Sequence, residues 1–272
     1  MPSASPTTRF SPTGIATNEQ RFAPNIKNVL STDSLGDVLG GSAGEFMKFL
    51  PGVTVESDLA DVSGVSIRGI GGGMTSVTND GAPASNIWTT ATRSVDVRSM
   101  ALNDIARMEV SKVPTPANPA DSLAGSINLV SKSAFERKNA QLRYSVGLSG
   151  NHRTASFRKV PHTTDERVYK VLPSFTFDYT LPVSKTFGLV VTGQSQNRFI
   201  EMEWVPRGFS ATANGVTGAS ISRPYLQSFQ LNSVPRANTR IALGLKADWR
   251  ATPNGVLSLN VERSRFVSDR SN

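Results

Sequence analysis

The sequence predicts a small α+β domain followed by a region of antiparallel β-strands. Two observations predict this fold class. Short, mixed elements fill residues 1–132, whereas long segments of alternating apolar and polar residues follow from residue 140. The charge changes at the same place, because residues 1–132 carry 10 Lys/Arg and 12 Asp/Glu and residues 133–272 carry 19 and 9. Such a step indicates two regions with different surroundings.

The composition excludes several classes of protein. No apolar run in the 272 residues approaches the roughly 20 residues of a spanning helix, which excludes a helical membrane protein. The absence of cysteine excludes disulfides, thiolate metal sites and a cysteine nucleophile. The N-terminus lacks the basic start and apolar core of a signal peptide. Basic residues are not clustered with aromatics in a binding motif, so we expect no nucleic acid partner.

Residues 65–81 form the centre of the first region. Val65 and Ile67 alternate with polar neighbours, which predicts a strand, and residues 75–78 predict a second one. Residues 79–81 read Asn-Asp-Gly, a turn whose positive-φ position suits glycine. With the glycine bridge at 71–73, this pattern predicts a compact hairpin-like unit.

The rest of the first region predicts two helices and a flexible arm. Residues 1–18 are rich in Pro, Ser and Thr, which is typical of a flexible segment. A helix is predicted over 43–50, with Ser42 and Glu45 as a capping box. We expect it to bury its apolar side chains, which are Phe46, Phe49 and Leu50. Residues 100–108 carry Leu, Ile and Met at helical spacing, and residues 107–111 turn strand-like.

Five segments beyond residue 140 predict strands near the roughly 9–11 residues needed to cross a bilayer at a tilt. They are residues 140–149, 169–181, 187–196, 239–249 and 256–266. The turns at 181–185 and 252–255 are short, whereas the connections at 151–166 and 201–237 are long and polar. This alternation of turns and loops is typical of a membrane barrel. A soluble antiparallel sheet with one wet face alternates identically, so the pattern leaves both open.

Five motifs, in order, resemble the plug domain of TonB-dependent outer-membrane receptors. They are residues 49–53, 65–70, 79–81, 105–112 and 123–132. The resemblance covers about residues 19–136, with the flexible arm at 1–18 before it. Residues 137–272 then resemble the N-terminal part of the family's barrel, with about five strands. The fold that the resemblance implies is an α+β plug domain followed by antiparallel β-strands of an incomplete transmembrane β-barrel.

The resemblance implies a plug inside a 22-stranded outer-membrane barrel that takes up a scarce siderophore, cobalamin or carbohydrate-type ligand. The implied partners are an inner-membrane energy-coupling protein of the TonB type, outer-membrane lipid and an unidentified small molecule. No cofactor and no metal are implied. The alternative is a soluble periplasmic binding or interaction module that uses a plug-like domain.

An enzyme is not expected, because no nucleophile, base and orienting group stand in a recognisable pattern. His152 and His162 are the two histidines, and both fall in a predicted loop. We expect them to face solvent, with metal capture as the alternative.

Ten positions match the plug signature and are expected to be structural. They are Pro51, Gly52, Arg68, Gly69, Asp80, Gly81, Arg107, Glu109, Gly125 and Asn128. Their glycines permit close backbone approach, and buried charges need partners. We therefore expect Arg68 and Asp80 to lie near each other or near other buried polar groups.

The length predicts a truncated receptor. About 140 residues follow the plug, whereas 22 strands of roughly 10 residues need about 220. No apolar energy-coupling box is recognisable in residues 1–18. We therefore expect the 272 residues alone not to support transport.

Overall fold

The computed structural model describes residues 12–34, 42–58, 61–84, 94–113, 116, 122–152, 154–160, 169–212 and 218–270. The chain divides into two compact units. The first comprises Met1–Leu148, Pro173–Asn197 and Thr239–Val267, and the second comprises Ser149–Leu172, Arg198–Asn238 and Ser268–Asn272. Among the described residues, no helix combines the length and apolar character needed to span a membrane.

The N-terminal domain, which we define as residues 12–136, lies in the first unit. Its helices are α1 (Pro12–Arg21) and α2 (Ala43–Met47). Its strands are β1 (Lys27–Ser31), β2 (Val53–Asp58), β3 (Asp61–Ile67), β4 (Thr75–Asn79), β5 (Ala82–Pro83), β6 (Ile105–Ser111) and β7 (Gly125–Ser131). One sheet has the order β1-β6-β7-β4-β5, in which β4 and β7 are parallel and the other pairs antiparallel. A second sheet pairs β2 with β3.

The core of this domain lies between the larger sheet, α2 and β3. Met108 of β6 stands opposite Leu129 of β7, and Val110 stands opposite Ile127, with all four side chains buried. Phe46 of α2 closes the core and is fully buried. Burial of such side chains stabilises the fold by about 1.5–3 kcal/mol each, so the core fixes the strands that carry the signature residues.

Both helix predictions need correction. The predicted flexible arm overlaps α1, which begins at Pro12, a residue that suits the first helical turn. Helix α2 ends at Met47, so Phe49 lies outside it and is exposed. Ser42 occupies the N-cap position, yet its side chain makes no capping hydrogen bond, and Glu45 pairs with Lys48 instead. Residues 105–111 form β6, so the helix expected from the spacing over residues 100–108 is wrong, whereas the strand-like pattern at residues 107–111 is confirmed.

The predicted hairpin-like unit at residues 65–81 is also wrong. Its two strands exist as β3 and β4, but they pair with different partners. β3 pairs with β2, and β4 lies beside β7 in the larger sheet. The glycines at residues 71–73 therefore lie at a crossing between the two sheets and not in a hairpin.

The five predicted long strands are confirmed. They are β8 (Gln141–Gly150), β9 (Val171–Pro182), β10 (Phe187–Trp204), β13 (Asn232–Thr252) and β14 (Gly255–Arg270). They form one antiparallel sheet in the order β14-β13-β10-β9-β8, which we call the wall. The predicted long loop at 201–237 holds further strands, because β10 extends to Trp204, and β11 (Arg207–Ser210) pairs with β12 (Tyr225–Phe229).

Candidate functional site

Two signature motifs meet at one end of the β2–β3 pair. The backbone N–H of Arg68 donates to the carbonyl of Gly52 over 3.0 Å. Gly52 and Gly69 have φ of +77° and +74°, and Arg68 has φ of +56°. Glycine adopts this left-handed region without steric cost, whereas Arg68 is strained by about 1–2 kcal/mol. Pro51 precedes this corner on the surface.

The Arg68 guanidinium is exposed, so the expectation of a buried charge at this position is wrong. The physical reason is the left-handed backbone at Arg68 and Gly69, which ends β3 and turns the chain away from its partner strand. In the structure, Arg68 lies at a left-handed corner of the backbone, with its side chain on the surface.

A second corner lies at Asp80 and Gly81, where φ is +48° and +83°. Asp80 N–H donates to the Leu129 carbonyl over 2.8 Å, and Gly81 N–H donates to Asn128 Oδ1 over 3.0 Å. The Thr78 hydroxyl donates to the same Asn128 oxygen over 2.8 Å. One amide side chain on β7 thus fixes the turn that follows β4.

The Asn128 amide also connects this corner to an ion-pair network on β6. Asn128 Nδ2 donates to Glu109 Oε2 over 3.5 Å, and Lys27 Nζ lies 3.0 Å from the same oxygen. Arg107 Nε lies 3.1 Å from Glu109 Oε1, and Arg107 also pairs with Glu136 over 3.1 Å. Since Glu109 is buried, its charge depends on these partners. Burial raises the pKa of Glu136, an effect that the Arg107 charge opposes.

Gly125 occupies a position where a side chain has no room. Its φ is +135°, and an added Cβ would lie 2.5 Å from the Ser111 carbonyl oxygen and 3.0 Å from Ile67 Cδ1. The glycine therefore lets β7 start directly against the end of β6 and the side chain of β3.

Asp80 joins the N-terminal domain to the wall. Its carboxylate accepts a hydrogen bond from Ser131 N–H over 2.9 Å and another from the Ser131 hydroxyl. From the wall, Lys246 Nζ lies 3.5 Å away and Asn260 Nδ2 lies 3.3 Å away. Burial raises the pKa of Asp80, but the bonds from Ser131 and the Lys246 charge outweigh it and leave that pKa lowered.

The two faces of the wall have opposite character. On β8 the apolar side chains are 61–73% exposed; they are Leu142, Tyr144, Val146 and Leu148. On β13 and β14 the apolar side chains are 44–63% exposed; they are Ile241, Leu243, Leu245, Leu257 and Leu259. The polar face is buried instead, with Thr192, Gln194 and Asp248 only 2–3% exposed. A sheet in water buries its apolar face, so this wall is inverted with respect to a soluble sheet.

A cavity of about 580 Å³ lies beside the wall strands β8 and β9. Its lining includes the ion-paired side chains Asp33, Lys132, Arg143 and Asp178. It also includes Asn103, Phe177 and Gln194, so polar and apolar surface alternate around it. The cavity is a feature of the boundary between the N-terminal domain and the wall.

Six of the ten signature residues lie in hydrogen-bonded groups or begin the strand β7. The other four lie at the corner where the β2–β3 pair ends; they are Pro51, Gly52, Arg68 and Gly69. Gly81, Arg107, Glu109 and Asn128 share one hydrogen-bonded network, and Gly125 begins β7. Asp80 makes a separate set of bonds with Ser131 and the wall. The sequence did not single out their partners, which are Lys27 and Glu136 in the network and Ser131, Lys246 and Asn260 around Asp80. Only Ser131 lay within a recognised motif. His152 is exposed, and His162 lies outside the described residues.

Comparison with known families identifies the N-terminal domain. The family model of the TonB-dependent Receptor Plug Domain matches residues 19–140. These residues form a TonB-dependent receptor plug domain. No curated protein sequence matches the chain significantly. The hydrogen-bonded network around Asn128 and Glu109 therefore lies within the plug.

Solved structures share the fold of the plug and the wall. A ferric enterobactin receptor mutant (PfeA) from Pseudomonas aeruginosa is 17% identical, with a TM-score of 0.56 over 93% of this chain and 34% of that one. The siderophore receptor PirA from Acinetobacter baumannii is 14% identical, with a TM-score of 0.58 over 93% and 33%. The copper transporter OprC is 13% identical, with a TM-score of 0.61 over 92% and 32%. The chain spans about a third of each of these structures.

Proposed function

We propose that this chain is the plug and first wall strands of an outer-membrane receptor that imports a scarce ligand of the siderophore, cobalamin or carbohydrate type. The observation that carries the proposal is the inverted wall, whose polar face is buried against the plug and whose apolar face is bare. An apolar outer face is stable only when lipid covers it. Ferric enterobactin and copper are named for structural neighbours and support, by analogy of fold, a metal-linked cargo.

The proposal includes two partners besides the ligand. Outer-membrane lipid covers the apolar face of the wall. An inner-membrane protein of the TonB type supplies energy, because the buried, ion-paired plug needs work to rearrange. The soluble periplasmic module remains the competing function, and it requires protein to cover the same apolar face.

Single-cysteine labelling tests the membrane placement, because the natural chain has no cysteine. Leu243→Cys and Ala242→Cys place a fluorescent label at adjacent positions of β13 that are 58% and 1% exposed. Each label is carried by the receptor that contains this chain, which is reconstituted in phospholipid vesicles with a nitroxide-bearing lipid. We expect strong quenching at residue 243 and little at residue 242. Equal quenching at both positions would favour the soluble module.

Uptake is tested in cells that produce the receptor containing this chain, with radiolabelled ferric siderophores and cobalamin as probes. We expect accumulation of one probe to require the energy-coupling protein, so deleting that protein is the control. Accumulation that is independent of the coupling protein would contradict the proposed mechanism.

A further inference from the structure

Asp104 carries a buried carboxyl group at the boundary between the plug and the wall. The residue immediately precedes β6, is 7% exposed and lies against Gly244 of β13, where an added Cβ would stand 3.6 Å from the Asp104 Cβ. Both carboxyl oxygens are closed off from solvent, and no N–H or hydroxyl of another described residue donates to them. The backbone N–H of Asp104 itself does approach them. A charged carboxylate at this position would therefore lack the partners that a buried charge needs.

The two lysines beside Asp104 are paired with other carboxylates. Lys132, which follows β7, lies 2.8 Å from Asp178, and Lys246 of β13 lies 3.5 Å from Asp80. Asp80 adds a second negative charge to the surroundings of Asp104. The cavity between Asp104 and the two lysines measures about 10 Å³, which is room for about one water. Burial accordingly raises the pKa of Asp104, and the Lys132 charge opposes this only in part.

The side chain that meets the Asp104 carboxyl from the wall is a second carboxyl, that of Glu262 on β14, and the two are hydrogen-bonded. An ionised carboxylate only accepts hydrogen bonds, so two carboxyl groups bond to each other only when one of them holds a proton. Glu262 is exposed at the edge of the described sheet, whereas Asp104 is enclosed. The exposed member gives the proton a route to solvent.

We propose that Asp104 and Glu262 share one proton and thereby form a proton-dependent bond between the plug and the wall. With the proton in place, the O–H of one carboxyl donates to an oxygen of the other. When the proton leaves, two negative charges face each other at the same point. The proton belongs to the pair and not to either residue alone. The proposed function does not use these two residues, and the inference holds whether lipid or protein covers the apolar face of the wall.

The shared proton links the stability of the folded chain to pH. Unfolded Asp and Glu release their protons near about pH 4. The folded chain keeps one proton above that pH, so it binds one proton more than the unfolded chain. The ratio of folded to unfolded chain should then fall by up to about tenfold for each pH unit. This contribution is complete below the unfolded pKa values and is lost as the pH rises through the folded pKa of the pair.

Infrared spectroscopy of the full chain in detergent micelles tests for the shared proton, because a protonated carboxyl has a C=O stretch that a carboxylate lacks. We expect the parent to retain this band at about pH 6, roughly two units above the pH at which an ordinary carboxyl titrates. Asp104→Asn should abolish the band. Glu262→Gln should abolish it as well, because the amide offers Asp104 an N–H donor in place of a second negative charge.

Chemical unfolding of the same chains between about pH 5 and about pH 8 measures the linkage. The stability of the parent should fall as the pH rises, whereas both variants should have a flatter profile, because an amide donates without an added proton. Asp96→Asn is the matched control, since the Asp96 side chain is 10% exposed and pairs with Arg98 inside the plug. It should keep the infrared band and the slope of the parent, even if its stability is lower throughout.

Four results would overturn the proposal. They are a parent that lacks the band at about pH 6, a band that persists in Glu262→Gln, variants whose pH profiles run parallel to that of the parent, and stabilisation of the parent by added calcium that both variants abolish. The second would assign the proton to Asp104 alone, and the last would place a cation between the carboxylates. None of these results bears on lipid placement or uptake, so the shared proton can fail while the proposed function stands.

Discussion

Replacing Asp80 separates the cost of a left-handed backbone from the value of the hydrogen bonds that its carboxylate accepts. Asp80 has φ of +48°, and its carboxylate binds Ser131 and approaches Lys246 and Asn260. Alanine loses the bonds and is strained at this φ. Glycine loses the bonds without the strain, and asparagine keeps an acceptor and tolerates the conformation.

The three variants have different expected costs. Hydrogen bonds to a charged group contribute about 1.5–3 kcal/mol, and we take the lower end because the Asp80 side chain is one-third exposed. Left-handed alanine adds about 1 kcal/mol. The expected losses of stability are thus about 2.5 kcal/mol for Asp80→Ala, about 1.5 kcal/mol for Asp80→Gly and about 0.5–1 kcal/mol for Asp80→Asn.

Hydrogen exchange of β7, measured on the full chain in detergent, reports these differences in stability between the three variants. Since about 1.4 kcal/mol corresponds to a factor of ten, protection should fall about 60-fold for Asp80→Ala and about 12-fold for Asp80→Gly. Equal protection in Asp80→Ala and Asp80→Gly would refute the backbone argument. Unchanged protection in all three variants would refute the value assigned to the carboxylate.

The pH dependence of the parent follows from the same geometry. The folded-state pKa of Asp80 lies below its ordinary value of 3.8. Its contribution to stability is therefore present above pH 3.8 and is lost as the pH falls through the folded pKa. Asp80→Asn should remove this part of the acid dependence.

Three further predictions concern the boundary between plug and wall. Gly188→Ala should lower the stability by about 1–3 kcal/mol through overpacking against Ala134. Gly147→Ala, where the added Cβ meets no atom within 4 Å, should lower it little. Thermal unfolding compares the two variants, and equal losses of stability would contradict the close approach of Gly188 to Ala134. Burial raises the pKa of Asp104 above 3.8, so the protonated carboxyl favours the folded state; this contribution is complete below pH 3.8 and is lost as the pH rises through the folded pKa. Asp104→Asn should therefore unfold at a higher temperature than the parent at pH 7. A lower unfolding temperature would show that the carboxylate is well paired. We expect no ligand import by the 272 residues alone when they are exported with a signal peptide. The reason is that β8 and β14 end the described sheet with unpaired edges, which lipid does not tolerate. Ligand uptake by a folded monomer would disprove this prediction.

The long strands could be predicted from the sequence because each has two faces in different environments. The segment predicted at 140–149 is β8 at Gln141–Gly150, and the other four begin within a few residues of the predictions, except β13, which starts at Asn232. Alternation cannot tell which face is buried. The structure decides that question, since Leu243 is exposed and Asp248 is buried.

The plug was harder to predict where tertiary contacts override local pattern. β6 is buried on both faces, so Ile105 and Met108 display a spacing that also suits a helix. The signature residues came from the family resemblance, yet their partners on the wall lie more than 100 positions away along the chain, as for Asp80 and Lys246. No local signal marks such a pair.

The inverted wall has a consequence for how the chain folds. In water, collapse drives apolar side chains together, and a strand that slips by one residue presents its other face. A wall that assembled in water would therefore hide Leu243 and its neighbours and turn the partners of the plug outward. The observed arrangement of the wall is favourable only where lipid replaces water on its apolar face. If lipid covers this face as proposed, the wall has a physical reason to stay unfolded until it reaches a bilayer.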